Sequence, residues 1–112
     1  MDLKQLIKEI RDSLNDTDEL SILADWDHKL STEYAWIGAQ LADVKKDRAK
    51  TEIEIKMREI LNGKVTEKEI ERIYFSTEAG QYYVFGTEMM KAIGRLISAV
   101  RFKRDLERDK RY

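Results

Sequence analysis

The chain has 112 residues, with 21 Lys and Arg against 22 Asp and Glu, one His, five Gly, and neither Cys nor Pro. That length predicts one small domain, and the missing proline and cysteine exclude collagen-like and disulfide-built scaffolds, thiolate zinc sites, iron–sulfur clusters and cysteine nucleophiles. Apolar runs such as residues 82–85 fall far short of the roughly 20 residues of a membrane-spanning helix, and residues 1–14 lack the apolar core of a signal peptide, so a soluble, cytoplasmic, all-helical protein is expected.

In chain order, Leu3, Leu6, Ile7, Ile10 and Leu14 follow the i, i+3, i+4, i+7 spacing of one helical face and predict a short amphipathic helix over 1–15. It should stop near Asn15 and Asp16, with Asp16 and Glu19 forming an acidic capping box for the next helix. A long helix over 18–62 follows. Its apolar positions Leu20, Leu23, Leu30, Tyr34, Ile37, Leu41 and Val44 alternate threes and fours, with Asp27 as the one polar interruption. Beyond Val44 the stripe is expected to drift through Ala49, Ile53, Met57, Ile60 and Leu61, as a 3.6-residue helix departs from a seven-residue repeat. A break near Ser31, Thr32 and Glu33 is the alternative to one continuous helix.

Asn62 and Gly63 end this helix, because glycine tolerates the left-handed conformation of a C-terminal cap. Thr66 with Glu69 then reads as a capping box, flanked by Val65 and Ile70 as a hydrophobic staple. Residues 63–66 therefore form a tight reversal that sets the helices on either side antiparallel, as a hairpin. A helix over 66–76 carries Ile70, Ile73 and Tyr74, with a kink or break at Ser76 and Thr77. The last helix, 78–110, carries Tyr82, Phe85, Met89, Ile93, Leu96, Ile97 and Val100.

Small residues recur on both long helices. Gly86, Gly94 and Ser98 lie on one side of the last helix, and each helical glycine costs up to about 1 kcal/mol relative to alanine. With Ala35, Gly38, Ala39 and Ala42 on the long helix, they predict close backbone approach between the hairpin arms. The fold class expected is all-α: a short N-terminal helix and a long, coiled-coil-like antiparallel hairpin. The packing residues are Leu23, Leu30, Tyr34, Ile37, Leu41, Gly86 and Gly94. A chain of this size buries only about two-thirds of its unfolded surface, which favours completion of the core by homo-oligomerisation.

Charge is sorted although the net is −1. Residues 1–33 hold nine acids and four bases, a local charge of −5, and residues 91–112 hold eight bases and three acids, a local charge of +5. Two basic sets stand out: Lys45, Lys46, Arg48, Lys50, Lys56 and Arg58 on the long helix, and Arg101, Lys103, Arg104 and Arg108 near the end. Three readings stand side by side. They form a solvated face with i, i+4 pairs, a phosphate-binding surface for nucleic acid, or a basic tail that docks on an acidic neighbour.

Catalytic chemistry has few candidates. His28, in the run Asp25, Trp26, Asp27, His28, lacks any recognisable ligand spacing and reads as an exposed helical histidine. The carboxylate pairs Asp43/Asp47 and Glu67/Glu71 are ordinary polar-face spacings. No glycine-rich phosphate loop or nucleophile elbow is present, so an enzyme, a cofactor, a metal and a small-molecule substrate are all unexpected. Trp26, Trp36, Tyr82, Tyr83 and Phe102 are either core and interface residues or stacking platforms for single-stranded bases. Trp26 and Trp36 lie off the apolar stripe, which assigns at least one of them to a second contact surface.

The opening Met1, Asp2, Leu3, Lys4, the run from Val44 through Arg48 into Ile55, Lys56, Met57 and Arg58, the reversal, and the run from Lys91 to Ile97 resemble small helical accessory proteins of tailed-phage recombination and replication, the UvsY-like recombination mediators among them. The resemblance implies a homo-oligomer that binds single-stranded DNA and assists a recombinase while a single-strand binding protein is displaced. The family's basic Lys-x-Arg stretch corresponds to Lys56 and Arg58 here. The acidic N-terminal third and the short connection depart from the family. The alternative is a protein-binding adaptor or inhibitor, such as a phage anti-defence or scaffold component, with no nucleic-acid binding.

Overall fold

The computed structural model describes residues 2–63 and 65–111, so Lys64, inside the expected reversal, lies outside the described residues, as do Met1 and Tyr112. Four α-helices follow in order: α1 (Leu3–Ser13), α2 (Leu20–Ile60), α3 (Glu67–Ser76) and α4 (Glu78–Asp109), with a 3₁₀ turn at Leu14–Asp16. No strand occurs among the described residues. The long helix packs against another in a hairpin-like arrangement, and the chain divides into two compact units: residues up to Trp36 together with those from Met89 onward, and Ile37–Glu88.

The first unit contains α1, the start of α2 and most of α4. α1 is started by a box not anticipated above. The Asp2 carboxylate accepts from the Gln5 amide at 2.9 Å, and the Asp2 amide donates back to the Gln5 side chain at 3.2 Å. Leu6 and Ile10 are its buried positions. Asp16 closes the 3₁₀ turn and α2 begins only at Leu20, which leaves Glu19, not Asp16, flanking the helix. Leu23, Trp26, Leu30, Ile93, Ile97 and Val100 supply the buried apolar surface from the two long helices.

α2 is continuous for 41 residues through the expected break. The hydroxyls at that point turn inward along their own helix: Ser31 Oγ donates to Asp27 at 3.0 Å and Thr32 Oγ1 to the His28 carbonyl at 2.9 Å. Side chains that otherwise favour non-helical backbone are thereby satisfied within the helix. At 1.5 Å per residue α2 is about 60 Å long.

The second unit corrects the expected drift. Ile53, Met57, Ile60 and Leu61 are exposed, and the residue of α2 buried beyond Val44 is Ile55. The threes and fours continue unbroken from Leu41 and Val44 through Arg48 and Thr51 to Ile55. Arg48 hid the register because a cation occupies a core slot. The cluster is closed by Ile70 and Tyr74, with Val65, Ile73 and Phe75 packed against it. Thr66 Oγ1 accepts from the Glu69 amide at 3.2 Å, and Gly63 takes φ +136° as the preceding helix ends.

α3 gives way to α4 at Thr77, which adopts extended backbone, and its hydroxyl accepts from the Gly80 amide at 3.1 Å. At Gly80 the chain passes so near the end of α3 that an added Cβ would lie 2.0 Å from the Tyr74 carbonyl oxygen and 2.6 Å from Phe75 Cα. Only glycine fits there without moving backbone.

The seam of α4 is also shifted from expectation. Phe85 is exposed, whereas Gly86 is buried, with Leu41 Cδ1 3.3 Å and Ile37 Cγ2 3.7 Å from where its Cβ would stand. Close approach at Gly86 is thus present. At Gly94 an added Cβ would stand 3.7 Å from the Tyr34 ring, an ordinary van der Waals contact, and Tyr34 remains 40% exposed. The alanines are different: Ala35, Ala39 and Ala42 are exposed and belong to the outer side of α2, so they do not serve the hairpin contact assigned to them above.

Candidate functional site

Two charged residues sit in the apolar register of α2, and each organises its own unit. In the first unit Asp27 follows Leu23 and precedes Leu30 by the spacings of the seam, so its carboxylate must enter the helix interface. Two residues three positions apart on α4 meet it there. Arg101 Nε lies 3.2 and 3.1 Å from the two carboxylate oxygens, and Arg104 Nη1 donates at 2.8 Å. Ser31 Oγ completes the set. The hydrogen bond from Arg101 holds the Asp27 carboxyl below the usual carboxylate range against the opposing effect of burial, with Ser31 and the two positive charges adding to the shift. Arg101 is in turn held above its ordinary value by the same hydrogen bond.

A neighbouring cluster lies further along α4. Glu107 is buried and accepts from Lys110 at 3.1 Å and pairs with Lys103 at 3.3 Å, and these bonds, Lys110 first, lower its pKa. Arg108 bonds Asp105 at 2.9 Å, and Arg111 reaches the Asp18 carbonyl at 3.1 Å. All four basic residues singled out at the chain end, Arg101, Lys103, Arg104 and Arg108, therefore have carboxylate partners within the chain. Of the three readings above, docking on an acidic neighbour describes Arg101 and Arg104, and the neighbour is Asp27 of the same chain.

In the second unit Arg48 is handled without an opposing buried charge. Its guanidinium carbon lies 4.9 Å from the ring centre of Tyr74, 5.0 Å from that of Phe75 and 5.1 Å from that of Tyr83. Tyr74 and Phe75 meet edge to face, as do Phe75 and Tyr83. The faces of three rings supply negative potential to a weakly hydrated cation. Glu52, one turn along, accepts from Arg48 Nε at 2.7 Å, and this bond raises the arginine pKa. The Tyr74 hydroxyl is buried and has no hydrogen-bond partner among the described residues; desolvation pushes its pKa up. Tyr82 donates to Gln40, a hydrogen bond from α4 to α2 in this unit.

The remaining candidates do not gather on one surface. Lys45 lies 5.8 Å from the Tyr83 ring centre, and Arg58 pairs with Glu59 at 3.4 Å. Lys46, Lys50 and Lys56 are exposed. At about 100° per residue, Lys56 and Arg58 point about 160° apart, whereas Lys46 and Lys50 are neighbours one turn apart. His28 is exposed at the rim of a shallow groove with Leu6, Lys29, Thr32 and Glu33. No group of three metal-ligating side chains comes together among the described residues. Trp26 is core, and Trp36 is 61% exposed.

Sequence reading missed the Arg48 cage. Its signal was present in the register, because continuing the threes and fours past Val44 lands on Arg48 before Ile55.

No protein-family model matches the chain, and no match was found among curated proteins or solved structures.

Proposed function

We propose that this chain works as a helical protein-interaction module, with a protein as its partner and no chemistry of its own. The observation that carries the reading is the fate of the basic residues at its end. Arg101 and Arg104 are engaged by Asp27, Lys103 by Glu107 and Arg108 by Asp105. Three carboxylates thus meet four cations, which offsets part of the charge that would otherwise attract phosphates and fixes these side chains within the chain. Meanwhile Phe102 and Leu106, one turn apart on α4, are exposed, the pattern of a contact surface for an apolar partner. The test is fluorescence anisotropy of a labelled oligo-dT at low salt with micromolar protein, for which no change is expected. Pull-down with the full chain should recover protein partners that nuclease treatment leaves in place, and fewer of them with a Phe102→Ser/Leu106→Ser variant.

A second reading is the single-stranded DNA-binding recombination accessory that the resemblance to UvsY-like phage proteins implies, acting beside a recombinase and a single-strand binding protein in the host bacterial cytoplasm. It is favoured by Lys46 and Lys50, adjacent, exposed and without a carboxylate partner among the described residues. Oligo-dT binding that falls steeply with salt and disappears in Lys46→Glu/Lys50→Glu would replace the first reading with this one.

A further inference from the structure

The side of α2 turned away from its core seam has a register of its own. In the second unit Ala39, Ala42, Ala49, Ile53 and Ile60 are all exposed, and with Lys46 and Lys56 they alternate threes and fours over three turns of the heptad. Ile53 and Ile60 are 58% and 56% exposed, and Met57 beside them is 67% exposed. The C-terminal part of this register, Ala49, Ile53 and Lys56, borders a groove shared with Glu67, Ile70 and Glu71 of α3 and is left exposed there. Alanine at three of its positions would let another helix approach closely, and isoleucine at two supplies apolar surface to bury.

We infer that this face of α2 docks against the same face of a second copy of the chain, with the two helices antiparallel and the two-fold axis between Asp47 and Arg48. The argument is self-complementarity. In that register Ala42 of one copy faces Ile53 of the other, so a small residue meets a large one in both symmetric layers. Lys46 faces Ala49, over which its aliphatic stem lies while the ammonium reaches water. Along one flank Asp43 faces Lys50 of the second copy, and along the other Lys45 faces Glu52, each pair occurring twice by symmetry. Every flanking charge pair in this overlap is attractive. The parallel alternative brings Lys45 against Lys50 of the second copy, two like charges, and aligns Ile53 with Ile53 and alanine with alanine. Charge pattern and side-chain volume therefore select the same orientation. The inference goes beyond the proposed function and is compatible with its first reading; it places Lys46 and Lys50 in the contact between copies, where they no longer form the free surface that the DNA-binding reading uses.

The test uses the full chain and two surface variants. Asp43→Lys places lysine at both flank positions, and Lys50→Asp places aspartate at both. Sedimentation equilibrium of the native chain should give twice 13.2 kDa. Each variant alone should dissociate roughly tenfold more readily, and an equimolar mixture should recover native affinity as a heterodimer, because mixing restores both opposite-charge pairs. A native monomer at about 100 μM, or variants that dimerise as well alone as mixed, would overturn the proposal. A second readout exploits the absence of cysteine. Ala42→Cys/Ile53→Cys should give a covalent dimer under mild oxidation, while Ala42→Cys alone should not, since the two copies of residue 42 would lie about 16 Å apart along the axis. Efficient crosslinking of the single variant would instead indicate the parallel arrangement and reject the antiparallel one. Circular dichroism of each variant checks that the helices are retained.

Discussion

The two units solve one problem in two ways. Each has a charged residue in the buried register of α2, Asp27 in the first and Arg48 in the second. Asp27 is neutralised by Arg101 and Arg104, 74 and 77 residues away in sequence, so its partners are fixed by chemistry and by the alignment of α4. Arg48 is surrounded by Tyr74, Phe75 and Tyr83, so its environment depends on the junction that brings the end of α3 beside the start of α4. A buried carboxylate needs donors, because no ring face can replace them, whereas a guanidinium accepts either carboxylates or ring faces. The first solution should therefore be sensitive to charge and the second to geometry.

Gly80→Ala should break the comparison most strongly. The new Cβ has no room beside the Tyr74 carbonyl, and the shift it forces separates Tyr83 from Tyr74 and Phe75. A loss of about 3 kcal/mol is expected by urea unfolding, with the Arg48 cage opened. If stability is unchanged, the junction does not control the cage. Asp27→Ala comes next. It strips two arginines of their partner, and because both guanidinium groups also reach solvent the expected cost is about 2 kcal/mol, below that of fully buried pairs. Asp27→Leu should recover most of that by completing the apolar seam, and a leucine variant as unstable as the alanine one would show that the carboxylate does more than compensate charge. Arg48→Met keeps the length and packing of the side chain while removing its charge. It should cost about 1 kcal/mol in the same assay, the worth of the cation–ring contacts and the Glu52 bond.

The sequence made the helices legible because their signals are local. Thr66, Val65 and Ile70 mark the start of α3, Gly63 marks the preceding stop, and the threes and fours mark both long helices. Three features escaped for physical reasons. The seam beyond Val44 was obscured because Arg48 and Thr51 are polar, and hydropathy does not reveal a cation lying over rings supplied from elsewhere in the chain. The exposed alanines of α2 were assigned to the hairpin because small side chains carry no mark of which side they serve. Sorting of charge between the two ends was visible, but which carboxylate would take Arg101 and Arg104 depends on how α4 aligns beside α2. The interruption at Asp27 and the basic end were each seen, and only the fold joins them.

The smallest expected effect separates the units by pH. The folded-state pKa of Asp27 lies below its unfolded value, so its contribution to stability is complete above the ordinary carboxylate range and declines as pH falls through that range toward the folded value. Tyr74 behaves in the opposite sense. Its folded pKa is raised by burial, so the unfolded chain ionises first, and its contribution is complete below about pH 10 and declines as pH rises beyond that. Between about pH 5 and 9 neither group should change stability. Below about pH 4 amide protection, corrected for the intrinsic exchange rate, should fall first around Leu6 and Ile10 in the unit held by Asp27, and above about pH 10 first around Ile70 and Tyr74. Asp27→Leu should flatten the acid side alone, and Tyr74→Phe the alkaline side alone. If acid instead exposed both units together in the native chain and in Asp27→Leu alike, the carboxylate would not be the group that ties the first unit to pH.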